Sequence, residues 1–129
     1  MKAHLAVLAL AVGACASHGS SQRSDGPRRD PELITMEELS TTTSTTLYDA
    51  VRALRPAWML RSRPTAVLQQ QQAQLIVYVD GTRYGTMESL RQLSTSGVVS
   101  VRFYSVGAAQ ARFGAGHLLG AIEVTTLSR

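Results

Sequence analysis

A short apolar run that ends at an Asp-Gly pair is the feature that most constrains how this chain folds. Residues 75–79 (LIVYV) are apolar on both faces and rich in β-branched and aromatic side chains, which predicts a strand inside a sheet. Asp80 and Gly81 follow at once, and this pair suits the two positive φ angles of a type I′ turn. We therefore expect residues 82–84 to return antiparallel to the strand.

Sequence patterns on either side of this hairpin alternate between strand and helix. Thr35 and Glu38 make a capping box for a helical turn that follows a first strand at residues 33–35. Apolar residues at i, i+3, i+4 and i+7 predict a helix over residues 47–54, and Pro56 ends it because proline cannot continue the hydrogen-bond ladder. The other expected elements are a strand at 58–60, an excursion at 61–74 with a frayed helix as its alternative, a helix capped by Thr86, a strand at 98–106, a helical turn at 108–112 and a last strand at 120–126.

Mixed connections of this kind predict an α+β domain. We expect a small mixed sheet layered with two or three short helices. On the last strand Ile122 and Val124 should face the core, and Glu123 should face outward, because side chains alternate along a strand.

The first residues read as a targeting signal. Lys2 precedes an apolar run at residues 5–12, which is shorter than the roughly 20 residues needed to cross a bilayer and fits the core of a secretory signal. The following residues, Val-Gly-Ala and then Cys15, resemble the lipobox of bacterial lipoproteins, in which the cysteine carries the lipid. A plain secreted protein cleaved after Ala16 is the alternative. In that lipoprotein family, Ala16 after the cysteine favours the outer membrane.

These patterns divide the chain of 129 residues into three parts. Residues 1–14 are expected to be the lipoprotein signal, and residues 15–31 a flexible tether, because they are rich in serine, glycine, proline and charge. Residues 32–129 are expected to form the domain. The expected location is the periplasmic face of a bacterial outer membrane, with a soluble periplasmic or secreted protein as the alternative.

Short motifs follow one another in a fixed order along the expected domain. They are an opening Ile-Thr-x-Glu-Glu-Leu at 34–39, a helix motif at 47–56, Tyr-Val-Asp-Gly at 78–81, Phe113-Gly114, and Gly-Ala-Ile-x-Val-Thr-Thr from Gly120. In this order and spacing they resemble the plug domain of TonB-dependent outer-membrane receptors. The resemblance implies a plug-like fold, in which the residues that define turns are Asp80, Gly81, Phe113, Gly114 and Gly120.

The chain also departs from those receptors. Their plug precedes a barrel, whereas this sequence ends at Arg129, so we expect no transport barrel. The expected tether has no convincing TonB-contact motif. The leading hypothesis is therefore a lipid-anchored, plug-like protein-interaction module that docks on an outer-membrane or other envelope protein. A subunit or accessory of a TonB-dependent uptake system is an alternative.

A cluster of arginines supports a further alternative, a module that binds an anionic envelope ligand such as a lipid headgroup or lipopolysaccharide. Arginine suits bidentate binding of phosphate or carboxylate. Two of these residues lie three apart and should share one face of the helix, although a solvated basic face would give the same pattern. The cluster comprises Arg52, Arg55, Arg61 and Arg63.

Neither catalysis nor a cofactor nor a metal is expected. Three isolated histidines have no metal-ligand spacing, and we expect His117 to be a surface loop residue. Glu88 and Glu123 have no acidic partner nearby in sequence, and Lys2 is the sole lysine, which excludes lysine-dependent Schiff-base chemistry. Nucleic acid is a poor partner for an exported chain, and no small-molecule substrate is identifiable.

Overall fold

The computed structural model describes residues 29–127, which contain a five-stranded sheet, five short α-helices and one 3₁₀ helix. The expected signal, Cys15 and most of the expected tether lie outside the described residues. In chain order the elements are β1 (Leu33–Thr35), α1 (Met36–Ser40), α2 (Leu47–Leu54), α3 (Pro56–Arg61), α4 (Ala66–Gln70), β2 (Ile76–Val79), β3 (Thr82–Thr86), the 3₁₀ helix (Met87–Gln92), β4 (Val98–Tyr104), α5 (Val106–Phe113) and β5 (Ala121–Thr126).

The predicted α+β class with a small mixed sheet is confirmed. The strand order is β1-β4-β5-β2-β3, in which β2 and β5 pair in parallel and the other neighbours pair antiparallel. β2 has a partner on each side, as its apolar sequence predicts, and the last strand, β5, holds the central position.

The predicted hairpin between β2 and β3 is also confirmed. Asp80 and Gly81 have φ angles of 48° and 79°, which are the positive values that a type I′ turn requires. The Asp80 carboxylate also accepts hydrogen bonds from the backbone N–H of Thr126, at 2.8 Å, and from its hydroxyl, at 2.5 Å. The turn residue therefore also joins the hairpin to the end of β5.

The contacts of Asp80 make a pH dependence of stability expected. The hydrogen bond from the Thr126 hydroxyl, followed by the bond from the Thr126 backbone N–H, lowers the pKa of Asp80. A carboxylate with a depressed pKa stabilises the fold above its unfolded pKa of about 3.9, and this contribution is lost as the pH falls through the folded value. We expect the melting temperature to fall in that acid range, and less steeply in Asp80→Asn and in Thr126→Val.

Calorimetric melting at several acid pH values measures these slopes. Asparagine tolerates a positive φ, so Asp80→Asn should keep the turn itself. Slopes equal to that of the wild type in both variants would contradict this role of the Asp80–Thr126 pair.

One face of the sheet carries the core. Side chains in register across four strands pack under α1, α2, α3 and the 3₁₀ helix. The buried residues of this layer include Ile34, Val77, Val101, Phe103, Ile122 and Val124 from the sheet, and Leu39, Leu47, Val51, Trp58 and Leu90 from the helices. Of the four apolar positions predicted to face the core from α2, Leu47, Ala50 and Val51 are buried and Leu54 is half-buried.

The predicted strand at residues 58–60 is wrong, because these residues belong to the helix α3. Pro56 is the first residue of α3, where its fixed φ suits a helix and its missing N–H costs nothing. Trp58 is buried, its ring lies 5.6 Å from that of Phe103, and its indole N–H donates to the Pro31 carbonyl at 3.0 Å. A three-residue apolar run fits either a strand or a buried turn of helix, and here tertiary packing decides.

Three further elements differ from their predicted form. The segment 61–74 contains α4, the helix that was the alternative to an excursion there, and the single turn expected at 108–112 is the eight-residue helix α5, which ends at Phe113 with Gly114 as its C-cap. Thr86 does not cap the following helix with its side chain. Instead, the Ser89 hydroxyl donates to the Thr86 carbonyl at 2.5 Å, and the segment is a 3₁₀ helix.

Candidate functional site

The structure divides the predicted arginine cluster between two locations, and Arg55 belongs to the first. α2 ends at Leu54, and Arg55 has a φ of −138°, so its side chain does not continue the helical face of Arg52. Its Nη2 donates to Glu38 Oε2 at 2.9 Å and to the Leu33 carbonyl at 2.6 Å, and its side chain is only 11% exposed. Arg55 therefore joins the end of α2 to β1 and α1.

Arg61 lies in the same location as Arg55. Its Nη1 is 3.2 Å from Glu32 Oε1, and its guanidinium carbon lies 5.1 Å from the centre of the Phe103 ring. Both groups are about half exposed, so this ion pair adds little to stability. Arg61 is nevertheless paired with the Glu32 carboxylate of the same chain.

Arg52 and Arg63 lie elsewhere, on the wall of a cavity of about 830 Å³. The cavity is bounded by α2, α3, the segment that includes α4, and the 3₁₀ helix. Both arginines are exposed, and within residues 29–127 no carboxylate lies within ion-pair distance of either one. The two arginines that line this cavity are therefore available to an anion.

The rest of the cavity wall combines amides with apolar and aromatic groups. Its apolar part comes from Met59, Leu75, Met87 and the ring of Tyr48. Its amides come from Gln69, Gln72 and Gln74, which lie in the segment 61–74 that was predicted to be an excursion. The sequence did not indicate these amides as site residues, because a glutamine run gives no periodic signal. It did not indicate Tyr48 either, because Tyr48 lies within the helix motif at 47–56.

A second cluster of polar and aromatic groups lies on the opposite face of the sheet, under α5. The ring of Tyr78 stacks on that of Phe113, with centres 3.9 Å apart. The Tyr78 hydroxyl lies 2.8 Å from His117 Nε2, and His117 Nδ1 lies 2.8 Å from the Gly114 carbonyl. A carbonyl can only accept, so His117 Nδ1–H donates to the Gly114 carbonyl, and Nε2 forms the hydrogen bond with the Tyr78 hydroxyl.

Two sequence-based predictions are wrong in this second cluster. His117 is 5% exposed and forms part of the interior, because the loop after α5 folds back over the sheet. Glu123 was expected to face outward, yet it is 9% exposed and lies between β4 and α5. Its carboxylate accepts hydrogen bonds from the Tyr104 hydroxyl and from Arg112 Nη2, each at 2.8 Å.

The hydrogen bonds to Glu123 join β4, β5 and α5. Burial, followed by the hydrogen bond to Glu123, raises the pKa of Tyr104, which keeps the phenol protonated as a donor. The hydrogen bond to the same carboxylate raises the pKa of Arg112. The sequence signal that could have indicated this network is a lone glutamate inside the otherwise apolar start of β5.

The residues predicted to define turns lie around this second cluster. Asp80 and Gly81 form the hairpin turn, Phe113 is the last residue of α5, and Gly114 follows it. Gly120 immediately precedes β5.

The described part of the chain holds no group of three or more His, Cys, Asp or Glu arranged to bind a metal ion. None of the helices in residues 29–127 has the length and hydrophobicity of a membrane span.

Comparison with known proteins gives no match: no family model, no curated protein and no solved structure is similar to this chain.

Proposed function

We propose that the chain is a plug-like protein-interaction module, anchored to the outer membrane through Cys15, that docks on another envelope protein. One observation carries the proposal. Three of the motifs that resemble the plug domain, at 78–81, at 113–114 and from Gly120, are distant in sequence, yet they contact one another in the fold. Tyr78 of one motif stacks on Phe113 of another, and Asp80 binds Thr126 of the last.

The face of the sheet that carries α5 supplies a surface for docking. Register places Arg102, Glu123, Tyr78 and Arg83 in one row across four strands of this face. α5 and the loop after it contact the middle of the row, whereas the positions around it stay half-buried or exposed. We call the uncovered residues the open sheet face; they are Arg83, Ser100, Arg102 and Thr125.

The open sheet face is polar, which suits a reversible, hydrated contact. Antiparallel strands tolerate water on one face, and β1–β4, β4–β5 and β2–β3 are antiparallel pairs. Protein interfaces that form and separate are about as polar as the rest of the surface and contain bridging waters. The polar side chains of this face therefore fit a docking contact that forms between two separately folded proteins.

A site-specific crosslink tests this function. A photoreactive phenylalanine analogue at Thr125, in the full chain expressed in its own bacterium, should give one discrete adduct with an envelope protein. The matched control is Thr43, an exposed residue in the loop between α1 and α2, which should give none. An adduct with a TonB-dependent receptor would favour the accessory role in uptake.

Two outcomes would count against the proposal. Recovery of the monomer alone from the Thr125 variant would contradict docking through this face, and equal adducts from Thr125 and Thr43 would indicate nonspecific proximity. The anchor is tested separately with labelled palmitate, which should enter the wild-type chain and not Cys15→Ser. Label retained in that variant would refute lipidation at Cys15 without bearing on the docking face.

A further inference from the structure

We infer that the cavity bounded by α2, α3, α4 and the 3₁₀ helix binds a small anionic amphiphile, whose oxyanion head pairs with Arg52 and Arg63. The volume of about 830 Å³ lies within the range of about 300–1,000 Å³ that is usual for small-molecule sites. This site is separate from the open sheet face, so it does not depend on the proposed docking function.

The charges around the cavity favour an anion. Glu88 also lines the wall, but its Oε2 lies 2.8 Å from Arg91 Nε, and the Arg91 guanidinium stacks 3.5 Å above the Tyr48 ring. The nearby Asp49 carboxylate accepts a hydrogen bond of 2.8 Å from the Thr46 hydroxyl at the start of α2. These acidic groups are already engaged, whereas Arg52 and Arg63 have no carboxylate partner among the described residues.

The apolar part of the wall argues against a purely hydrophilic anion. Leu75 and Met87 are 2% and 7% exposed, so they form a floor that belongs to the hydrophobic core. Met59 and Tyr48 also line the cavity, although the Arg91 guanidinium covers one face of the Tyr48 ring. Methionine adapts to irregular apolar shapes, which suits a flexible acyl chain.

The glutamines give the site its third chemical component. Gln69, Gln72 and Gln74 line the cavity, and an amide can both donate and accept hydrogen bonds. Such groups match the hydroxyl or ester oxygens that lie between the head and the tail of an amphiphile. Phosphate and carboxylate heads share the oxyanion chemistry that arginine binds, so the ligand class is an oxyanion attached to a short apolar chain.

Calorimetric titration with matched probes tests this inference. The protein is the chain from residue 15 onward with Cys15→Ser, and the probes are lauroyl lysophosphatidic acid, dodecanoate and neutral monolauroylglycerol, all below their micelle concentrations. At least one anionic probe should bind, and the neutral probe should bind at least about tenfold more weakly. The anionic probe that binds more tightly identifies the head as phosphate or carboxylate.

Single substitutions then locate the site. Arg52→Gln and Arg63→Gln should each weaken the anionic probe about tenfold, the loss expected for one hydrogen bond to a charged group. Arg29→Gln is the matched control, because the Arg29 side chain is 79% exposed and does not line the cavity. Its affinity should equal that of the wild type.

Several results would overturn the inference. They are no binding of any probe, equal affinity for the neutral probe, equal affinity for inorganic phosphate, and a loss in Arg29→Gln as large as that in Arg52→Gln. Binding to anionic vesicles without binding to any monomeric probe would also overturn it, because that would indicate surface electrostatics rather than a cavity.

Discussion

Replacing Gly120 with alanine should lower the free energy of unfolding by about 3 kcal/mol or more, which is among the larger effects of single substitutions. Gly120 has a φ of +85°, a conformation that residues with a Cβ rarely adopt. A Cβ at this position would also collide with the carbonyl oxygen of Tyr104. Tyr104 pairs with Ala121 in the β4–β5 ladder, and moving its carbonyl away from a new Cβ would disturb that pairing.

Urea denaturation measures the loss, and Gly107→Ala is the matched control. Gly107 lies in α5, and a Cβ there would meet no atom within 4 Å. Alanine should stabilise that helix by about 0.5–1 kcal/mol, because glycine loses more backbone entropy on folding. A loss below about 1 kcal/mol in Gly120→Ala would mean that the backbone before β5 shifts easily, which would contradict the predicted collision with the Tyr104 carbonyl.

Local sequence signals predicted the elements that are built from local interactions. The capping box of Thr35 and Glu38, the Asp80-Gly81 turn and the strong β propensity of residues 76–79 all depend on neighbours within a few positions. The helix α3 was missed because a three-residue apolar run has the same composition in a strand and in a helix. Burial of Trp58 against Phe103 resolves that ambiguity only after the chain has folded.

The candidate site was less predictable, because residues that are close in sequence can have side chains that point to different parts of the fold. Arg52 and Arg55 lie three residues apart, yet the end of α2 between them sends one to the cavity and the other to Glu38. His117 and Glu123 were expected at the surface because their partners come from elements at other positions in the chain. Only the assembled sheet and α5 show that Tyr78, Tyr104 and Arg112 satisfy them.

Arg55→Gln should destabilise the domain by about 3–5 kcal/mol, the range for breaking a buried ion pair on one side. The Arg55 and Glu38 side chains are only 11% and 14% exposed, so the remaining carboxylate would stay largely buried. Among the described residues it would keep only the Thr35 N–H and the exposed Arg29, whose Nε lies 3.6 Å from Glu38 Oε1. The Leu33 carbonyl would lose a donor at the same time, which loosens the attachment of β1. Arg52→Gln, on the exposed side of the same helix, should change stability by less than about 0.5 kcal/mol.

Urea denaturation of both variants, together with Glu38→Gln and the double variant Glu38→Gln/Arg55→Gln, separates the pair energy from the single losses. The double variant should lose less than the sum of the two single variants, because neither charge is then left alone. Equal stabilities for Arg55→Gln and Arg52→Gln would contradict the buried pair. If the pair behaves as expected, a loss of ligand binding after changing all four arginines together would include the effect of destabilising the domain. Arg52 and Arg63 are therefore the positions at which a loss of binding reports on the cavity.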